Sequence, residues 1–88
     1  MAKNTQSLTG RLSDMDLRLL RVFREVVQAG GLAPAEVALN ISRSTISVHL
    51  SDLETRLGMQ LCIRSRGRAD FKLTREGEAL YQAIEELD

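Results

Sequence analysis

The sequence predicts a mainly α domain in which three helices are followed by a short β-hairpin and a fourth helix. Three observations carry that expectation. Apolar residues recur at three- and four-residue spacing in separate stretches, the period of an amphipathic helix. Ahead of the last such stretch, Leu61-Cys-Ile-Arg64 and Asp70-Phe-Lys-Leu73 read as two short alternating runs around Ser65-Arg-Gly-Arg-Ala69, the pattern of a hairpin with a basic tip. Finally, only Phe23, Phe71 and Tyr81 are aromatic, so Leu, Val, Ile and Ala must fill the interior, which favours helices. At 88 residues and 43% apolar composition, the chain is one globular domain with one modest core.

Each element has its own punctuation. Residues 1 to 14 are expected to be a flexible N-terminal extension, because their Lys, Asn, Thr, Gln and Ser content leaves too little apolar surface to order them. Ser13 resembles a helix cap, with Asp16 in the acidic first turn, and Leu17, Leu20, Phe23, Val26 and Val27 then form one face. The first helix is predicted from about Asp14 to Ala29, ended by Gly30-Gly31. Pro34 occupies a natural first helical position, which predicts a short second helix with Val37, Ala38 and Leu39 as buried candidates and Asn40 as its end.

The third helix is the most informative. Ser42 caps it, Gly58 ends it, and Ile46, Leu50, Leu53 and Leu57 form its buried stripe. Ser44, Val48, Ser51 and Thr55 fall on the opposite side, a surface without bulk or acid. An exposed helix face that needed only solubility would carry Lys and Glu, and Ser and Thr are poor helix formers. Small hydroxyl and methyl groups suit a helix that must approach base edges in a DNA major groove. Two helices joined by the tight turn at Asn40-Ile41-Ser42 are therefore read as a helix-turn-helix, and the hairpin after them as a wing. Arg43, Ser44, Thr45, Ser47, Val48 and Ser51 are the candidate DNA contacts on the helix, with Arg64, Arg66, Arg68 and Lys72 on the wing. Val48 suits a thymine methyl, and Arg43 suits either a base or a phosphate.

The formal net charge of zero argues at first against a nucleic-acid partner. Its distribution argues the other way. Residues 42 to 74 hold six basic against three acidic residues, a balance of +3, while residues 75 to 88 hold one against five, a balance of −4. If these segments face different directions, a local positive surface survives. After Thr74, a further cap, Ala79, Leu80, Ala83, Ile84 and Leu87 recur at helical spacing up to the last residues without a Gly or Pro stop, so the fourth helix is expected to continue in a longer chain.

In order and spacing, these residues resemble the N-terminal DNA-binding domain of LysR-type transcriptional regulators. Over residues 15 to 88 the matching pieces are Met15-Asp-Leu-Arg-Leu-Leu, Gly-Gly-Leu before the second helix, Ser42 through Leu53-Glu54, Leu57-Gly58-Met-Gln-Leu-Cys62 with Arg64, and Phe71-Lys-Leu-Thr-Arg-Glu-Gly77. The resemblance implies a winged helix-turn-helix at 15 to 74 and the start of a linker helix from 75, which in such proteins pairs with a partner subunit. Leu80, Ala83, Ile84 and Leu87 are then the candidate dimerisation residues, although the same stripe also suits an intramolecular core. It further implies double-stranded operator DNA as partner, a homodimer on an interrupted inverted repeat, and a small-molecule effector only in a C-terminal domain that this sequence lacks. Ala33 replaces the usual Ser or Thr cap. Val48 and Ser51 stand where many members carry Arg, Gln or Lys, which implies a different base preference and phosphate affinity, and Cys62 often corresponds to Phe.

Other functions find less support. A single cysteine makes no internal disulfide, and there is no signal peptide or membrane-length apolar run, so a cytoplasmic protein is expected. Neither a catalytic triad, a glycine-rich phosphate cradle nor a zinc motif is present, so no enzymatic activity, cofactor or metal is expected. Lone His49 reads as structural or surface, and Cys62 as a small core residue. The competing reading is a winged-helix module that binds protein through its apolar last helix and acidic tail instead of DNA.

Overall fold

A computed structural model describes residues 14–64 and 71–87, with the side chains of Arg64 and Leu87 outside that description. The elements run α1 (Asp14–Ala29), α2 (Leu32–Leu39), α3 (Arg43–Leu57), β1 (Cys62–Arg64), β2 (Phe71–Leu73) and α4 (Arg75–Leu87). The N-terminal extension and the Ser13 cap lie outside the described residues, as does the tip of the hairpin.

The first helix keeps its expected limits. Its buried stripe is Leu19, Val22, Phe23 and Val26, rotated from the expected face, since Leu17 is 45% exposed and Leu20 and Val27 are half-buried; Asp14 and Asp16 occupy its first turn. The amide of Gly30 closes it by donating to Val26 at 3.0 Å and Val27 at 3.2 Å. With φ at +91°, Gly30 adopts a conformation that residues bearing a Cβ rarely reach.

The second helix departs from expectation at its start and on its exposed side. It begins at Leu32, with Gly31 as the preceding cap residue, so Pro34 is the third helical residue rather than the first. The absent N–H of Pro34 is harmless there, because first-turn amides have no intrahelical acceptor. Of the three residues expected to be buried, Val37 is 86% exposed, Ala38 is exposed and Leu39 is half-buried. Leu32, Ala35 and Leu39 face α1 and α3 instead, and an eight-residue helix resting on one side leaves the rest of its apolar surface outside. Asn40 then turns the chain in the left-handed region at φ 58°, its amide donating to Glu36 O at 2.8 Å. Asparagine tolerates that conformation better than most residues.

The Ser42 side chain caps α3 by accepting from the Thr45 amide at 3.2 Å. Ile46, Leu50 and Leu53 are buried beneath that helix. The two strands pair antiparallel, Cys62 opposite Leu73, Ile63 opposite Lys72 and Arg64 opposite Phe71. Leu61 falls just before β1 yet is fully buried, and its carbonyl accepts from Thr74 N at 3.0 Å. Thr74 caps α4 as expected, accepting from Gly77 N at 3.0 Å, and also donates to Gln60 O at 2.6 Å. A Cβ at Gly77 would lie 1.9 Å from the Leu61 carbonyl oxygen, so only glycine lets α4 approach the strand this closely.

One core unites these elements: Leu19, Val22, Phe23 and Val26 from α1, Ala35 from α2, Ile46, Leu50 and Leu53 from α3, with Leu61 and Cys62. Leu80, Tyr81 and Ile84 of α4 pack against it only partly, and Ala83 is exposed. Polar contacts complete the seat of α4, for Glu85 accepts from Arg24 Nε at 3.2 Å and Gln28 Nε2 at 3.3 Å. No described helix is long and apolar enough to cross a membrane.

Candidate nucleic-acid interface

The outward face of α3 follows from its inner one. Burying Ile46, Leu50 and Leu53 fixes the rotation of the helix about its axis, which turns Ser44, Val48 and Ser51 to solvent. Leu50 is 1% exposed and Val48 is 64% exposed, two residues apart on one helix. Ser44, Ser47, Val48, Ser51, Asp52 and Thr55 together line a shallow open depression along this face, so the surface expected to be free of acid carries one, because Asp52 follows Val48 by one helical turn. Four of the six expected helix contacts, Ser44, Ser47, Val48 and Ser51, thus lie on one surface.

Arg43 and Thr45 flank that surface. Thr45 is exposed, but its amide and its hydroxyl, at 3.2 Å and 2.9 Å, both meet Ser42 Oγ and tie it to the cap, while the Ser44 hydroxyl, also 3.2 Å from that oxygen, remains on the lining of the depression. The backbone amide of Arg43 donates to the Glu36 carboxylate, and its guanidinium Nε lies 3.9 Å from the same group. An acidic residue of α2 therefore sits at the positive end of α3, where the helix dipole favours it, and joins the two helices. On the wing, Lys72 is exposed on β2. Arg66 and Arg68 lie outside the described residues, and Arg64 is described in its backbone alone.

Three carboxylates and an arginine hold this surface in place. Glu54 Oε2 accepts from the amides of Leu61 at 2.8 Å and Cys62 at 3.2 Å, which ties α3 to the base of the wing. Cys62 is buried as expected, its Sγ 3.8 Å from the same carboxylate oxygen. On the opposite flank, Arg56 Nη1 donates to Asp16 of α1 at 2.9 Å and Arg56 Nε to Asp52 at 3.2 Å. Hydrogen bonding to Asp16, with Asp52 beside it, raises the affinity of the Arg56 guanidinium for its proton. His49 is half-buried at the edge of the face, and its Nδ1 is buried without a hydrogen-bond partner. Among the described residues no three His, Cys, Asp or Glu side chains cluster as metal ligands would.

Sequence reasoning overlooked Glu36, Asp52, Glu54 and Arg56. Glu54 and Arg56 act across seven and 40 residues of chain, and no local period reports such pairs. Asp52 carries one signal, an acid four residues before a basic residue on a helix.

Comparison with known proteins decides the family. The profile of the "Bacterial regulatory helix-turn-helix protein, lysR family" matches residues 17–78. The chain belongs to the lysR family. It is 51% identical over 87 residues to the HTH-type transcriptional activator BauR of Pseudomonas aeruginosa, covering 99% of this chain and 28% of BauR. Among solved LysR-family structures, the BenM DNA-binding domain in complex with catB site 1 DNA superposes with a TM-score of 0.71 at 37% identity, covering 81% of this chain and 74% of that one. The CbnR DNA-binding domain in its DNA complex gives a TM-score of 0.71 at 31% identity, covering 80% and 78%. This LysR-family chain is a winged helix-turn-helix, as its sequence predicts, and a DNA-binding domain of the transcriptional-regulator type.

Proposed function

We propose that residues 15–74 bind double-stranded DNA sequence-specifically, with α3 in the major groove, α2 bracing it and the wing on the adjacent backbone or minor groove. The observation that carries this reading is the outer face of α3. Val48 is 64% exposed beside exposed Ser44 and Ser51, on a helix whose other sides are held by the core, by Glu54 and by Arg56. Rigid presentation of small uncharged groups is what base-edge contact requires. That BenM and CbnR domains have been captured on DNA supports the same reading for this relative.

Within that reading Ser44, Ser47, Val48 and Ser51 approach bases. Arg43 and Thr45 serve the helix margin, and Arg64, Arg66, Arg68 and Lys72 hold phosphates or enter the minor groove. A gel-shift titration against operator and random duplex at two salt concentrations tests it. Binding that weakens steeply with salt is expected, and indifference to DNA would return the chain to the protein-interaction reading. Arg68→Ala should lower the slope of log affinity against log salt by about one unit while leaving base preference unchanged.

The chain spans 28% of BauR, so whole-protein activity is a wider proposal. We infer a cytoplasmic bacterial regulator in which α4 begins the linker helix at residue 75 and pairs two subunits through Leu80, Ala83, Ile84 and Leu87. Incomplete burial of Leu80 and Ile84, with exposure of Ala83, supports that inference. Two-fold symmetry would then set an inverted-repeat operator, with an effector bound by a separate domain. Sedimentation of the wild-type chain and of Ile84→Glu tests the pairing: a monomer in both cases would reject it.

A further inference from the structure

Asp52 is an odd residue on a surface meant for a polyanion. It lines the same depression as Ser44, Ser47, Val48, Ser51 and Thr55, yet it carries negative charge toward a phosphate-walled groove. Near phosphates a carboxylate is repelled, and Arg56, which meets Asp52 but is shared with Asp16, offsets only part of that charge, so a further hydrogen-bond donor on the DNA favours an acid on this face. In the major groove the base-edge donors are the exocyclic amino groups of cytosine N4 and adenine N6. Acidic side chains pair typically with cytosine N4, whereas the adenine edge, with an acceptor beside its donor, suits an amide side chain.

The carboxylate is also held in advance. Its Oδ1 accepts from Arg56 Nε at 3.2 Å, and Arg56 is itself anchored through Nη1 to Asp16 Oδ1 of α1 at 2.9 Å. A chain of three side chains therefore orients Asp52 from the helix beneath, at the rim of the reading face. The Asp52 side chain is 42% exposed, enough to reach a partner while its position is restrained. Asp52 lies one helical turn beyond Val48, so the two occupy neighbouring stations on the face, about 6 Å apart along the axis.

We propose that Asp52 is a specificity-determining residue that selects a cytosine by accepting a hydrogen bond from its N4 amino group. The assignment rests on the placement of α3 in the major groove argued above. Arg56 is then a positioning residue, screening the carboxylate from phosphates and fixing its direction.

Selection from a randomised duplex library by wild type, Asp52→Asn, Asp52→Ala and Arg56→Ala tests the assignment. Wild type should enrich cytosine about 10-fold at one position of each half-site. Asp52→Asn should move that preference to adenine, whose N6 and N7 suit an amide. Asp52→Ala should abolish selection at that position only, and Arg56→Ala should weaken it without changing the preferred base. Cytosine retained in the Asp52→Ala motif overturns the proposal, as does a uniform gain in affinity for all duplexes, which would make Asp52 a source of repulsion alone. A wild-type chain that enriches no motif overturns both this inference and the placement of α3, whereas a motif indifferent to residue 52 overturns this inference only.

Discussion

The inner and outer faces of α3 obey opposite rules. On the inner face Ile46, Leu50 and Leu53 are almost wholly removed from water, so shape complementarity decides which residue fits. On the outer face Ser44, Val48 and Ser51 are exposed, and the identity of Val48, 64% exposed, matters little to folding. Between the faces lie the flanks, where Glu54 and Arg56 bind the helix to the wing base and to α1. Outer residues are thus free to vary with DNA sequence, while inner and flanking residues keep the same helix in the same orientation. Substitutions across the helix should therefore pass from large stability effects to none.

The largest effect is expected at the centre of the inner face. Leu50→Ala removes a side chain that is 1% exposed and leaves a cavity in the core that α3 shares with α1. A cost of about 2–5 kcal/mol is expected, a large share of the total stability of so small a domain. Urea denaturation followed by circular dichroism measures it, and a midpoint unchanged from wild type would deny that this face is the core.

Next comes the flank toward the wing. Glu54→Ala strips the acceptor from the amides of Leu61 and Cys62, leaving both at a partly buried junction. Loss of about 1–3 kcal/mol is expected, with Glu54→Gln recovering much of it because its amide oxygen still accepts. Denaturation of the two variants side by side checks this. Equal losses would mean that charge, not hydrogen bonding, is what the junction needs.

A smaller effect belongs to the start of the helix. Ser42→Ala deletes the side-chain acceptor for the Thr45 amide and should destabilise by about 1 kcal/mol, while Ser42→Asp should be nearly neutral. Thermal melts resolve that difference. A neutral Ser42→Ala would show that the Glu36 carboxylate, which also meets the first turn, suffices as a cap.

How much of this was legible in the sequence depended on whether the signal was local. Phe23 and Val26 announce α1 by their spacing, although that spacing takes in exposed Leu17 and passes over buried Leu19, while Ser42 and Gly58 bracket α3 and Thr74 opens α4, all within a turn or two of chain. In contrast, α2 is apolar at every residue but Glu36, so no period says which residues are inside, and Val37, a buried candidate by its composition, lies outside. Its first residue was obscured because Gly30 ends one helix while Gly31 precedes the next, leaving Pro34 as the only visible starting mark. The reading face emerged because a core stripe implies its opposite. The supports did not, since Glu54 with Leu61 and Arg56 with Asp16 are partners only after folding.

The smallest stability effect tests the outer face most directly. Val48 is 64% exposed and touches solvent rather than core, so Val48→Ala should change stability by less than about 0.5 kcal/mol. Its β-branched side chain is not a strong helix former, and alanine is the best one, so any change should favour the folded state. Affinity should respond differently. If the valine methyls contact a thymine methyl, Val48→Ala weakens binding to the preferred duplex by about tenfold and leaves random duplex unaffected. Melting and fluorescence-anisotropy titration of the same preparation separate the two quantities. A variant that melts lower than wild type while binding operator equally well would place Val48 in the packing of the domain, and would remove the distinction between the two faces.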